Sequence, residues 1–243
     1  MSADHAAVML AAWESAGEQP SVARALTLLA AAWPERSREQ WTRVPIGERD
    51  RQLLALRERM FGTRLDALAV CPVCAEQLEL NFDTSQITVP ADTARASVEV
   101  ESEGYSVCCR APDSADLLAV AAAPEHHASL LLERCITSAQ HQGVPVQAGA
   151  LPQAVREALE LALAQADPQA AVSIAVDCPA CEHAWAIDFD VLTYLWSEID
   201  DWAARTLREV HDLASAYGWS ERAILAMSAV RRNWYLDIIA GQR

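Results

Sequence analysis

Apolar residues along the first sixty positions recur three and four apart. In AAVMLAAW (Ala6 to Trp13) and SVARALTLLAAAW (Ser21 to Trp33) this spacing places them on one face of a helix, with Ser2, Asp4 and Pro20 as helix-start residues. In WTRVPIGERDRQLLALRERMFG, Pro45 opens a further helix, Leu53, Leu54, Leu56 and Met60 mark its buried face, and Gly62 ends it. RLDALA (Arg64 to Ala69) reads as a short helix leading to Cys71. Beyond Asp83 the period drops to two. Val98 and Val100, then Tyr105, Val107 and Cys109, alternate with polar residues around a Ser-Glu-Gly turn, which predicts a β-hairpin. Helices follow at SADLLAVAA and HASLLLERCITSA, then a loop at HQGVPVQAG and an amphipathic helix in LPQAVREALELALAQADP, stopped by Asp167 and Pro168. AVSIAVD and AWAIDFD alternate as strands on either side of a second cysteine pair. From Val191, the residues Leu192, Leu195, Ile199, Trp202, Leu207, Val210, Leu213 and Tyr217 hold one apolar seam, a long helix ended by Gly218. Ser220 caps a short helix, and RRNWYLDIIA forms the last.

Two thirteen-residue phrases stand out from this pattern: CPVCAEQLELNFD (Cys71 to Asp83) and CPACEHAWAIDFD (Cys178 to Asp190), aligned throughout at an offset of 107. In a CPxC turn the tight backbone aims both sulfurs at one point, so each turn supplies half of a tetrahedral site. Cys71, Cys74, Cys178 and Cys181 together make a four-cysteine zinc ribbon, with a structural Zn²⁺ as its cofactor. The separation is far wider than the roughly 15 to 20 residues usual for such ribbons, so a subdomain is inserted between the halves. The rival reading is a redox dithiol, which a lone CxxC can be; two copies in matching context favour the metal. His183 follows the second pair, but its counterpart in the first is Glu76, so it reads as a surface histidine.

The predicted fold class is therefore α+β and mainly α-helical. Residues 1–66 form an N-terminal helical region, 67–83 and 172–190 a split zinc ribbon, 84–171 an inserted hairpin-plus-helices subdomain, and 191–243 a long helix with a helical hairpin.

Charge narrows the choice of partners. Of 34 acidic residues and 19 arginines, with no lysine, residues 66–189 hold 18 acids and four arginines, so the net charge of −15 is concentrated there. A surface of that sign repels phosphate backbones and argues against nucleic acid. No apolar stretch approaches the roughly 20 residues of a membrane span, and the N-terminus lacks the basic-then-apolar order of a secretory signal, so the expected location is cytoplasmic. Catalytic patterns are missing as well: there is no Gly-rich phosphate loop, GxSxG or HExxH, and the chain reads as a non-enzyme. Cys108, Cys109 and Cys135 have no metal spacing and read as core or edge thiols. His126 and His127 read as solvated. Glu198, Asp200 and Asp201 read as a solvated acidic face, and Trp13, Trp33, Trp196, Trp202 and Trp234 as packing on helical stripes.

Four segments together resemble a known family. PIGERDRQLLALRERMFG, the paired knuckles, APDSADLLAVA, and above all REVHDLASAYGWSERAILAMSAVRRNWYLDII are similar to the T-even-type baseplate hub assembly chaperone family of contractile phage tails and phage tail-like injection systems. The resemblance spans most of residues 45–243. It implies a non-catalytic assembly chaperone or adaptor that binds baseplate or hub/spike proteins before they assemble. The alternatives are a structural baseplate subunit retained in the particle, and a zinc-ribbon regulator associated with nucleic acid. The regulator would need a basic stripe beside a knuckle, where Glu76, Glu79, Glu182, Asp188 and Asp190 stand instead.

Overall fold

A computed structural model describes residues 3–122 and 124–241; the predicted helix-start residue Ser2 lies outside them. In chain order the helices are α1 (Ala3–Ala16), α2 (Ser21–Ala32), α3 (Arg38–Thr42), α4 (Ile46–Phe61), α5 (Ser114–Val120), α6 (His127–Cys135), α7 (Gln153–Ala166), α8 (Val191–Tyr217), α9 (Glu221–Leu225) and α10 (Ala229–Ile239). The strands are β1 (Arg64–Val70), β2 (Gln77–Asp83), β3 (Ser97–Ser102), β4 (Tyr105–Arg110), β5 (Ile136–His141), β6 (Val144–Pro145), β7 (Ser173–Asp177) and β8 (Ala184–Asp188). The class is α+β with small sheets, as the periodicities indicate. The chain divides into two compact units, residues 39–191 and residues 1–38 with 192–243.

In the first unit, α4 follows its sequence signals. Pro45 sets the entry at φ −52° and Gly62 closes the helix at φ +92°, a conformation in which a Cβ would be strained. Leu53, Leu54 and Leu56 are buried. The hairpin predicted from alternation is β3–β4, with Val98 opposite Cys109 and Val100 opposite Val107. Glu103 and Gly104, both at positive φ, make its turn. The sheet continues as β3-β4-β5-β6, and α7 lies over it. Val155 and Leu159 of α7 close a core with Val107, Cys109, Leu132, Ala139 and Leu151.

Three sequence-based assignments are corrected in this unit. RLDALA is not a helix but most of strand β1. Leu65, Ala67 and Ala69 face inward while Arg64, Asp66, Leu68 and Val70 face solvent, a period of two that the alanines disguise as helix-forming sequence. HASLLLERCITSA is helical only to Cys135. The β-branched Ile136 and Thr137 begin β5, which pairs with β4 across a bulge at Cys108/Cys109. The expected loop at HQGV is then a tight β5–β6 hairpin, turned by Gln142 and Gly143 at positive φ.

α8 runs from Val191 to Tyr217 as the seam predicts, all but its first residue in the second unit, and Gly218 ends it at φ +68°. Ser220 and Ser228 cap α9 and α10, each hydroxyl accepting from the backbone N–H three residues on. Ala203, Val210 and Leu213 of α8 pack with Leu10, Ile224 and Leu225, and with Trp13, Trp202, Trp219, Tyr235 and Leu236 around them. The helical stripe does not bury every tryptophan: Trp234 is 53% exposed, because Tyr235 and Leu236 take the inward positions of α10.

Candidate metal centre

Each cysteine pair sits in the loop of its own two-stranded hairpin, β1–β2 and β7–β8. The two hairpins are equivalent pairing by pairing. Asp66 opposite Asn81 corresponds to Ser173 opposite Asp188, and Val70 opposite Gln77 to Asp177 opposite Ala184. The structural repeat is therefore longer than the two thirteen-residue phrases and begins upstream of each first cysteine, where RLDALAV and AVSIAVD share little sequence. The loops match atom for atom as well. The Ala75 N–H donates to the Cys71 carbonyl at 3.0 Å and the Cys71 N–H to the Glu76 carbonyl at 2.9 Å. The Glu182 N–H donates to the Cys178 carbonyl and the Cys178 N–H to the His183 carbonyl, both at 2.9 Å. Closing such a turn puts the residue after the second cysteine in the left-handed region, Ala75 at φ +60° and Glu182 at φ +59°.

Between the hairpins the repeat meets itself. Phe82 and Phe189, which occupy the same place in the two phrases, stack edge to face at 5.6 Å between ring centroids. The sulfurs converge in a crossed pattern, Cys71 Sγ 3.7 Å from Cys181 Sγ and Cys74 Sγ 3.5 Å from Cys178 Sγ. All four lie within 4.8 Å of one another. A tetrahedral zinc with Zn–S bonds of about 2.3 Å requires S···S separations of about 3.8 Å, so this donor set fits. Cys71 and Cys178 are buried while Cys74 and Cys181 face solvent, which gives an ion a way in. Neither pair opens a helix as thioredoxin-type dithiols do, and the short sulfur contacts run between knuckles, which disfavours the redox reading.

The thiols perturb one another. At Cys71 burial opposes ionisation, but the backbone N–H groups of Cys74 and Val73 and the thiols of Cys74 and Cys181 outweigh it and bring the group down to about 6. At Cys74 the Glu76 N–H favours the thiolate, yet the neighbouring sulfurs of Cys181 and Cys178 push it up to about 12. Four sulfurs this close cannot all ionise unaided, and a dication is what would let them. His183 stacks on Trp185, with ring centroids 5.8 Å apart, and is not among the grouped donors.

The remaining candidate residues are placed elsewhere. Cys109 and Cys135 are buried, and burial pushes their thiols to about 11 and 12. His126 and His127 are exposed, and Asp200 accepts from the Trp13 indole N–H at 2.8 Å.

Sequence reading missed a buried polar node that joins the PIGERD and APDSAD segments. The Ile46 N–H donates to the Pro112 carbonyl, and the Gly47 N–H to Asp167 Oδ2 at 2.9 Å, so a residue from the end of α7 caps α4. Arg49 pairs with Asp50, whose carboxyl is raised by burial, against the pull of Arg49 and with help from Asp190 and Asp167. At the start of α5, Asp113 and Asp116 form a reciprocal capping box. Arg110 grips Asp116 with both guanidinium nitrogens, at 2.6 and 2.8 Å, and Arg134 adds a third contact at 3.1 Å. The signal present in the sequence was one D-x-x-D helix start, Asp113 to Asp116, and an adjacent Arg49 and Asp50 near the start of α4.

A family model described as T4 bacteriophage base plate protein matches residues 5–193. The match takes in α4, both knuckles and the α5 segment. It reaches nearer the N-terminus than the four segments that carry the resemblance, and it stops before REVHDLASAYGWSE. No curated protein matches the chain, and no solved structure does.

Proposed function

Because the chain belongs to the T4 bacteriophage base plate protein family, we propose that it is a non-catalytic assembly chaperone or adaptor for the baseplate or hub of a contractile phage tail-like particle, holding an unassembled tail component. One observation carries this reading. The only cluster of potential metal donors among the described residues is a four-sulfur set, which fills a tetrahedral ion's coordination and leaves no open position for a water or substrate. Zinc bound by Cys71, Cys74, Cys178 and Cys181 holds structure rather than doing chemistry, which leaves the surfaces to do the work. Those surfaces suit a protein client. Val230, Trp234 and Ile238 stand one turn apart on the outer side of α10, 79%, 53% and 45% exposed. The acidic 66–189 region steers toward cationic surfaces and repels nucleic acid.

The test follows the tagged full-length chain through particle assembly. The expected result is association with an unassembled baseplate or hub protein and loss from mature particles. Presence in mature particles at fixed stoichiometry would make it a structural subunit.

A further inference from the structure

The four-stranded sheet has two edges, and one of them is blunted. There β6 is two residues long and includes Pro145, which has no N–H to offer. At the other edge β3 runs six residues with no proline and no bulge. The Ala111 N–H donates to the Ala96 carbonyl at 2.9 Å, and ladder pairs alternate from there, so Val98, Val100 and Ser102 are the residues of β3 that bond to β4. The N–H and C=O groups of Ser97, Glu99 and Glu101 therefore point away from β4, along the open edge. Beside that edge lies a groove of about 250 Å³ whose far wall is α7: Arg95, Ser97 and Glu99 line one side, Ala162 and Gln165 the other. Leu161, one helical turn before Gln165, is 62% exposed. On the surface of β3 turned away from α7, Glu99 and Glu101 are exposed and stand opposite Cys108 and Ser106, with Ser138 and Gln140 on the strand beyond. Neither glutamate forms a salt bridge among the described residues. The arginine that ends β4, Arg110, is held by Asp116, and Arg95 precedes the strand.

We infer that the open edge of β3 takes up an extended segment of a baseplate or hub protein as a fifth strand, a segment in which basic and apolar residues alternate. Its backbone pairs with the free N–H and C=O groups of Ser97, Glu99 and Glu101. Because directly opposed residues share a face of the sheet, its basic side chains stand beside Glu99 and Glu101, and its apolar ones enter the groove toward Ala162 and Leu161. A second copy of the chain is a poor occupant, since pairing β3 with β3 brings the glutamates of the two chains together. The inference rests on the proposed function and gives its contact a place and a backbone geometry.

The test puts a photo-crosslinking amino acid at Ser97 of the full-length chain in cells assembling the particle, with Val144 on the blunt edge replaced likewise as control. The expected result is a crosslink from position 97, and none from 144, to an alternating basic and apolar segment of one baseplate or hub protein. A synthetic peptide of that segment, added to the full-length chain, should slow hydrogen exchange about tenfold or more at the amides of Ser97, Glu99 and Glu101, and leave Val98 and Val100 unchanged. Glu99→Lys/Glu101→Lys should bind the peptide about tenfold more weakly or worse, and Glu99→Pro, which removes one edge N–H, should weaken it as well. Peptide binding without protection of those three amides would overturn the inference, as would a crosslink to a second copy of the chain or full binding by the charge-reversed variant. If the chain co-purifies with a baseplate or hub protein while position 97 captures nothing, the edge is wrong and the proposed function stands. If no such protein associates with it at all, the proposed function fails and takes this inference with it.

Discussion

Ala75 and Glu182 are non-glycine residues held at positive φ by equivalent turns, a conformation that costs an L-residue about 1 kcal/mol. Ala75→Gly and Glu182→Gly should therefore leave thermal stability unchanged or raise it by up to about 1 kcal/mol, whereas Ala75→Val should lower it by about that much or more. Two glycine variants that both melted early would refute the turn geometry. Asp116 gives a pH-dependent case. Burial works against its charge, but Arg110, the Asp113 N–H and Arg134 more than compensate and depress the group to about 2. A carboxyl near 3.8 when unfolded and near 2 when folded adds roughly 2 kcal/mol, present above about pH 4 and lost as pH falls toward 2. Urea titrations across pH 2 to 5 should show that loss, and Asp116→Asn should be less stable at neutral pH with a flatter acid limb. At this scale the cysteines were legible in the sequence because two CPxC turns in matching context each bring a pair of sulfurs to one point. Asp116 was not, because a capping carboxylate and a buried one read alike until Arg110 and Arg134 are seen to converge on it.

Among the elements, α4 meets the end of α7 through one glycine. A Cβ on Gly47 would lie 1.8 Å from Asp167 Oδ1, and Asp167 is buried, so it cannot yield without giving up the α4 cap. Replacing glycine with alanine on an ordinary helix stabilises by about 1 kcal/mol. Here Gly47→Ala should instead cost about 2 kcal/mol or more in chemical denaturation. The double variant Gly47→Ala/Asp167→Ala should cost less than the sum of its singles, because the clash is gone; strict additivity would refute the contact. Long elements were legible for a physical reason. The seam of α8 repeats over 27 residues, so no single residue can mislead. β1 was not legible, since alanines at Ala67 and Ala69 suit a helix locally and only pairing with β2 makes Leu65 an inward strand residue. β5 was hidden in the same way behind the helical run that ends at Cys135.

For the whole molecule, the chain writes one hairpin twice. Both copies supply sulfurs and an inward phenylalanine. The sequence showed the duplication but set its start at the cysteines, because β1 and β7 correspond in register and hardly in identity. A metal bound by the four cysteines would tie the copies together, since without one four sulfurs held this close repel one another as they ionise. Cys71→Ser and Cys178→Ser should each lose the ion and lower solubility, while Cys135→Ser, buried outside the sulfur group, should keep it. The most direct measurement is native mass spectrometry with sulfur-edge and zinc-edge absorption on the full chain, purified under reducing conditions. One zinc per chain in an all-sulfur shell is the predicted result. A folded chain with no metal, or with a ligand other than Cys71, Cys74, Cys178 and Cys181, would contradict it.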